Sequence, residues 1–276
     1  MKLKKALLVC LLPAFVISGC GKTTTDETEN TTKQESAVEE TAQEEQETGD
    51  TETESEASGE DTDEETEASK DLFAMDTYMT LTAYGEHAQE AVDKAAERVE
   101  ALDALLSTGN ENSEIYQLNQ NGEATLSEEG RYLVERALEL YKKTEGAFDI
   151  AIYPVMQAWG FPTQDYHVPD DDTLKEKLAL ADASKVKYDK DTRKISFDQD
   201  GMKIDLGGIA KGYTSSQIMQ IYQDCGVTSG LVNLGGNVQA LGCKTDGSKW
   251  RVAIQSPDDT EAYLGILELE DQAVIT

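Results

Sequence analysis

Asp205 is followed by Leu206 and a glycine pair, Gly207-Gly208, and Lys211 comes three residues later, within KIDLGGIAKGYTSSQIM (203–219). An Asp at the end of a short apolar run, two glycines and a Lys opening a helical pattern have the grammar of a phosphate cradle. Glycines let backbone approach a ligand because no Cβ stands in the way. The first turn of a helix offers unpaired N–H groups and the positive end of its dipole. Lys211 falls in that turn and can reach an anionic oxygen. Asp205 can orient a ribose or base donor or bind a hard cation, and the Gly208 carbonyl is itself a hard-cation ligand. The spacing is neither a Walker A motif nor a dinucleotide fingerprint. The phosphate compound therefore stays open, as does the plain alternative of a helix start with a surface lysine.

GAFD (146–149) and WGF (159–161) form a second cluster. Phe148, Trp159 and Phe161 could stack on a flat ring, with Asp149 accepting from a hydroxyl or ring N–H, although core packing explains the same aromatics. LVNLGGNV (231–238) reads as a hairpin turn that could also approach a ligand. The only histidines are His87 and His167, and no Cys/His spacing suits zinc.

The elements that must hold these residues follow from periodicity. Residues 74–84 alternate at period two and predict one strand, while 86–106 repeat apolar residues at three or four and predict a helix. A short helix is expected at 113–118, a longer one capped by Ser127 and ending near Gly146, and an acidic-capped one in PDDDTLKEKLALA (169–181). Strands are expected near 185–188, 193–198 and 202–206, then a helix from about Ala210 to Asp224 stopped by Gly226. Further strands flank the Gly-Gly-Asn turn and fill KWRVAIQSP and YLGILELEDQAVIT. Helices and antiparallel strands mix without βαβ alternation, which predicts a single α+β domain.

The N-terminus reads differently. A basic MKLKK, an apolar ALLVCLLPAFVI and the small residues before Cys20 make residues 1–19 a secretory signal of lipoprotein type, with Cys20 acylated. Two or more acyl chains anchor a protein stably to a membrane, so a cell-membrane, extracytoplasmic location is expected. Residues 20–70 then form a tether: positions 21–70 hold 19 Asp/Glu against 3 Lys/Arg and no aromatic residue. Such a stretch cannot bury enough apolar surface to offset its ordering entropy. The domain itself is 71–276, and its share of the formal charge of −31 is still strongly negative. Nucleic acid is excluded as a partner on that ground. Cys225 and Cys243 remain for the domain, and their spacing leaves pairing open.

MDT, LLSTGNENSEIYQLN, GAFDIAIYPVMQAWGF, IDLGGIAKGYTSS, GLVNLGGNV and WRVAIQSP occur in that order. Together they resemble the ApbE family, the FAD:protein FMN transferases, from about Met75 to the last residue. The resemblance implies a T-fold-like domain that binds FAD with Mg2+, cleaves its pyrophosphate and joins FMN to a Thr or Ser hydroxyl of a partner flavoprotein, releasing AMP. The partner it implies is a membrane-associated redox protein. By motif, Met75 would touch the flavin nucleotide, and Ala147, Phe148 and Asp149 would line the FAD site. Asp205 would bond FAD, Lys211 would approach its phosphates, and the Gly208 carbonyl would be a Mg2+ ligand. The nucleophile would belong to the partner, and no catalytic base is named.

The sequence also departs from the pattern. Asp76 stands where many members have Gly, and Gly109 where many carry an aromatic over the flavin ring. Members continue past AVITSG into H-x-x-D-P and A-D-A-x-x-T segments, the latter supplying an Asp and a Thr to the metal; here the sequence reaches AVIT at Thr276. It is therefore read as C-terminally incomplete, either a fragment or a truncated form. Three functions are expected to compete: an FMN transferase, an FAD-binding lipoprotein without transfer activity, and a generic solute-binding lipoprotein.

Overall fold

The computed structural model describes residues 66–259 and 261–276; the signal, Cys20 and the tether up to residue 65 lie outside the described residues. The chain opens with β1 (Glu67–Ala74) and β2 (Thr77–Tyr84), an antiparallel hairpin. Strand thus begins four residues inside the stretch that composition assigns to the tether. The single strand expected over 74–84 is corrected too: Ala74 pairs with Thr77, and Met75-Asp76 form the two-residue turn between them. Both turn residues are left-handed, with φ of 50° and 58°. Such a turn is usually announced by Asn-Gly or Asp-Gly, and Met-Asp announces nothing.

Helix α1 (Ala88–Leu106) follows, burying Ala88, Val92, Ala95, Val99 and Leu102 as its periodicity requires. α2 (Glu114–Asn121) is capped by the Ser113 side chain, and after β3 (Glu123–Thr125) comes α3 (Glu128–Lys143), capped by Ser127. α4 (Tyr153–Ala158) lies between two 3-10 turns, and α5 (Asp171–Leu178) starts on the Asp170 carboxylate. β4 (Val186–Asp189) and β5 (Lys194–Phe197) join β3 in a small sheet of order β3-β5-β4. Leu102, Ile115, Leu118, Leu133, Ile150 and Ile195 share one core beneath these elements. Each such side chain stabilises the fold by about 1.5–3 kcal/mol when fully buried.

The segment expected as a strand at 202–206 pairs with no strand among the described residues. Met202, Ile204 and Leu206 are buried alternately, so the period-two signal is real. Its backbone bonds go elsewhere. Asn119 Oδ1 accepts from the Ile204 N–H at 2.7 Å, Asn119 Nδ2 donates to the Ile204 carbonyl at 2.8 Å, and the Asp205 N–H donates to the Ile150 carbonyl. A side-chain amide does the work of a neighbouring strand.

α6 (Gly207–Asp224) begins three residues before the expected start. β6 (Ser229–Leu234) and β7 (Asn237–Leu241) turn at Gly235-Gly236, both at positive φ. β8 (Trp250–Gln255) and β9 (Tyr263–Leu269) make a separate hairpin, and β10 (Ala273–Ile275) edges β7. The main sheet is antiparallel, in the order β1-β2-β6-β7-β10. Residues of α1 and α6 pack on one face around Met79, Leu81, Val232 and Leu234; Trp250 and Leu269 of the hairpin pack with Ala240, Leu231 and Tyr84. The α+β class is the one expected. Cys225 and Cys243 are free thiols.

Candidate functional site

The extended segment 202–206 ends by aiming Asp205 at the start of α6. Asp205 Oδ1 accepts from the Gly207 N–H at 2.8 Å, so its carboxylate satisfies one of the helix's orphan donors. Gly208 follows on the exposed first turn, against the Phe148 ring. A Cβ at this position would stand 3.0 Å from Phe148 Cε2, so only glycine lets the ring lie this close. With the helix starting at Gly207, Lys211 sits on the second turn rather than the first. No described residue bonds or ion-pairs its ammonium group. Burial holds the Asp205 carboxyl above its ordinary value, the Gly207 N–H opposes this, the Asp76 carboxylate adds to it and Lys211 opposes it. Asp76, Asp205 and Lys211 therefore share one electrostatic neighbourhood at the helix start.

The β1–β2 turn reaches the same place. The Met75 N–H donates to Asp103 Oδ1 of α1 at 3.0 Å, and the Met75 sulfur accepts from the Thr214 hydroxyl of α6 at 3.8 Å. Met75 also packs against both main cores. These ties hold a left-handed pair of non-glycine residues, a conformation costing roughly 1–2 kcal/mol per residue. The structure thus gathers Met75, Phe148, Asp205, Gly208 and Lys211 of the expected set around the opening of α6.

Asp149 has a different kind of role. Its Oδ1 accepts from the Ala151 N–H at 2.7 Å and its Oδ2 from the Ala183 N–H at 3.1 Å. Both oxygens therefore brace the loop that carries Phe148. Ala147 is exposed, its N–H on the Thr144 carbonyl. Phe161 pairs edge-on with exposed Tyr166, their centroids 5.6 Å apart, rather than filling the core. Gly109 is tied by its N–H to the Ser107 hydroxyl. A polar hollow of about 240 Å³ lined by Glu128, Arg131, Tyr188, Lys190 and Arg193 shares no residue with the α6 start.

Sequence reasoning missed Asp103, Asn119 and Thr214. Each is a polar residue in an ordinary helical pattern, and its part is fixed by residues 28, 85 and 139 positions away. For a hard cation, the oxygen donors at the helix start are the Asp205 carboxylate and the Gly208 carbonyl, both hard ligands of the kind Mg2+ takes, with the Asp76 carboxylate close enough to raise the Asp205 pKa. Among the described residues no group of three or more His, Cys, Asp or Glu could hold a metal by side chains alone.

The family model described as ApbE matches residues 75–276. A FAD:protein FMN transferase of Klebsiella pneumoniae (strain 342) is 28% identical over 194 residues, covering 69% of this chain and 60% of that protein. The protein of the same name from Treponema pallidum (strain Nichols) is 30% identical over 231 residues, covering 76% of this chain and 64% of that one. The chain therefore spans less than two thirds of these curated relatives' length. Among solved structures, an ApbE protein from Thermotoga maritima superposes with a TM-score of 0.71 at 24% identity, covering 75% of this chain and 69% of that one. The flavin transferase ApbE from Vibrio cholerae gives a TM-score of 0.68 at 24% identity, covering 76% and 70%. At that identity the likeness establishes the fold: helices and antiparallel sheets in the same arrangement.

Proposed function

The chain belongs to the ApbE family, and from that premise we propose that it is an extracytoplasmic, membrane-anchored FAD:protein FMN transferase. The observation that carries this reading is the convergence at the start of α6. Lys211, whose ammonium has no hydrogen-bond or ion-pair partner among the described residues, the Gly208 N–H left over at the start of α6 and the Phe148 ring lie around a half-buried carboxylate. Phosphate, flat ring and polar nucleotide groups each find a counterpart there. The names of the curated relatives point the same way. The basic and apolar leader ending at Cys20, followed by the acidic stretch, supports lipid anchoring outside the cytoplasm.

The chemistry proposed is phosphoryl transfer. A Thr or Ser hydroxyl of an acceptor flavoprotein attacks the FMN-side phosphorus of FAD. A new P–O bond forms, the bond to the bridging oxygen breaks, AMP departs, and the hydroxyl proton passes to a base. Lys211 would bind the pyrophosphate oxygens and disperse charge that builds on them. Phe148 would stack on a ring of the dinucleotide, and Met75 would close the site from the β1–β2 turn. Asp205 and the Gly208 carbonyl would hold Mg2+, which when bound neutralises phosphate charge. The protein's part is positioning and electrostatics, so no Ser-His-Asp set is required. Acceptors of the expected kind are membrane-associated redox proteins within reach of a tether of some fifty residues, roughly 40 Å root-mean-square.

The test is to incubate the chain with FAD, Mg2+ and a Thr-bearing acceptor, following in-gel flavin fluorescence and AMP release. Covalent flavin with equimolar AMP is the expected outcome. Tight FAD binding without either product would establish the FAD-binding lipoprotein instead. Absence of FAD binding would remove the flavin reading altogether.

A further inference from the structure

The β6–β7 hairpin was singled out in the sequence, yet the site described above leaves it without a role. Its turn is closed by Asn233, whose Oδ1 accepts from the Gly236 N–H at 2.9 Å. Asn237, just past the glycines, is only 6% exposed, and its Oδ1 has no hydrogen-bond partner among the described residues. No described residue bonds its amide nitrogen either. A buried amide oxygen left unpaired is unfavourable, and native structures rarely keep one without reason.

Register shows where this side chain faces. Asn237 lies opposite Leu234, which lies opposite Met79, and directly opposed residues share one face of a sheet. Met79 and Leu234 are in the core that also holds α6 residues, so Asn237 faces that helix. Two levels along the sheet set the direction in which the helix runs across it. At the Gly230–Leu241 pair, a Cβ on Gly230 would stand 2.9 Å from Cδ2 of the Tyr222 ring. At the next inward level, Gln239 of β7 bonds the Ser215 hydroxyl. That step is two strand residues, roughly 7 Å, and it moves seven residues toward the helix N-terminus, roughly 10 Å of helix axis. Continued by the same step, the level of Leu234 and Asn237 would meet the first turns of α6, at Gly208–Lys211.

We propose that Asn237 is a substrate-contacting residue of the α6 site, its carboxamide oxygen accepting from a hydroxyl or ring N–H of bound FAD. The proposal rests on the flavin-transferase reading. Phosphate oxygens carry no donor, so a buried acceptor selects the ribityl, ribose or ring portion of the dinucleotide, leaving the pyrophosphate to Lys211. Asn237 thereby extends the site from the helix start onto the main sheet. It also gives the Gly235-Gly236 turn a purpose, since Thr77 Oγ1 would lie 2.1 Å from a Cβ on Gly235. The glycines let the hairpin tip settle against the β1–β2 turn that carries Met75.

The experiment is a fluorescence-quenching titration of FAD with Mg2+ present, on the wild-type chain, Asn237→Leu and Lys211→Ala, with inorganic pyrophosphate as competitor. Asn237→Leu should bind FAD at least tenfold more weakly, with the pyrophosphate inhibition constant changed less than twofold. Lys211→Ala should weaken both. The Leu variant should melt no lower than wild type, because it removes an unpaired amide; if it does not fold, Asn237→Ala carries the same comparison. Wild-type-like FAD affinity in the folded variant would overturn the proposal, as would equal losses for FAD and pyrophosphate. If the wild-type chain binds no FAD, the parent reading falls and takes this one with it.

Discussion

Asn119→Ala tests how the site is held. The Asn119 carboxamide is buried and makes two short bonds to the backbone of Ile204, donating at 2.8 Å and accepting at 2.7 Å. Removing it leaves one N–H and one C=O of a fully buried residue without partners. Each unsatisfied buried group costs about 1–3 kcal/mol, so the pair should cost about 2–6 kcal/mol. Against a total of about 5–15 kcal/mol for a typical domain this is a large fraction. For a chain of this size it corresponds to roughly a 5–20 °C drop in Tm. The functional effect should exceed what lost stability explains, because Ile204 immediately precedes Asp205, which sets the start of α6. The assay pairs urea unfolding with FAD titration at a temperature where the variant remains folded. Reduced Cm with weakened FAD binding is expected. A Tm within 2 °C of wild type would show that Asn119 does not substitute for a strand, and would refute the account of how Asp205 is placed.

Two further outcomes concern charge at the helix start. Asp205 has a raised pKa in the folded chain, so between its ordinary value and the raised one the native state binds more protons than the unfolded state. Stability contributed by this residue therefore falls as pH rises through that window and is regained on acidification. In EDTA at neutral pH, Asp205→Asn should raise Tm, keep the Gly207 N–H bond, and lose its advantage below the ordinary carboxylate range; a constant difference at all pH values would contradict this. It should also weaken FAD binding. Asp76→Gly relieves a left-handed non-glycine residue and should stabilise the chain by about 1 kcal/mol in urea unfolding. It should also shrink the pH effect at Asp205, since the Asp76 carboxylate contributes to that shift.

Much of the fold was legible because local signals and tertiary roles agree. Ser127 and the acidic stretch at Asp170 cap the helices they were expected to cap, and the periodic apolar faces of α1 and α3 are the buried ones. Legibility failed where one signal has two structural solutions. Alternation across 74–84 continues through a hairpin whose turn contains no glycine. Alternation across 202–206 marks an extended segment whose partner is an asparagine side chain in another element. Period two reports which side of a chain is buried. It carries no information on what pairs with the backbone.

The site divides along the same line. Asp205, Gly208 and Lys211 lie within seven residues, so their relation to one another is set by fewer than two turns of backbone and can be read directly. The rest of the neighbourhood is assembled by register. Met75 reaches α6 because Asp103 fixes a strained turn, and Phe148 reaches Gly208 because Asp149 braces its loop through the Ala151 and Ala183 N–H groups. A residue whose carboxylate holds backbone in this way looks, in sequence, the same as one that holds a ligand. Asn237 is the converse case. It looks like part of a hairpin turn, yet Asn233 closes that turn without it and the buried Asn237 oxygen is left unpaired.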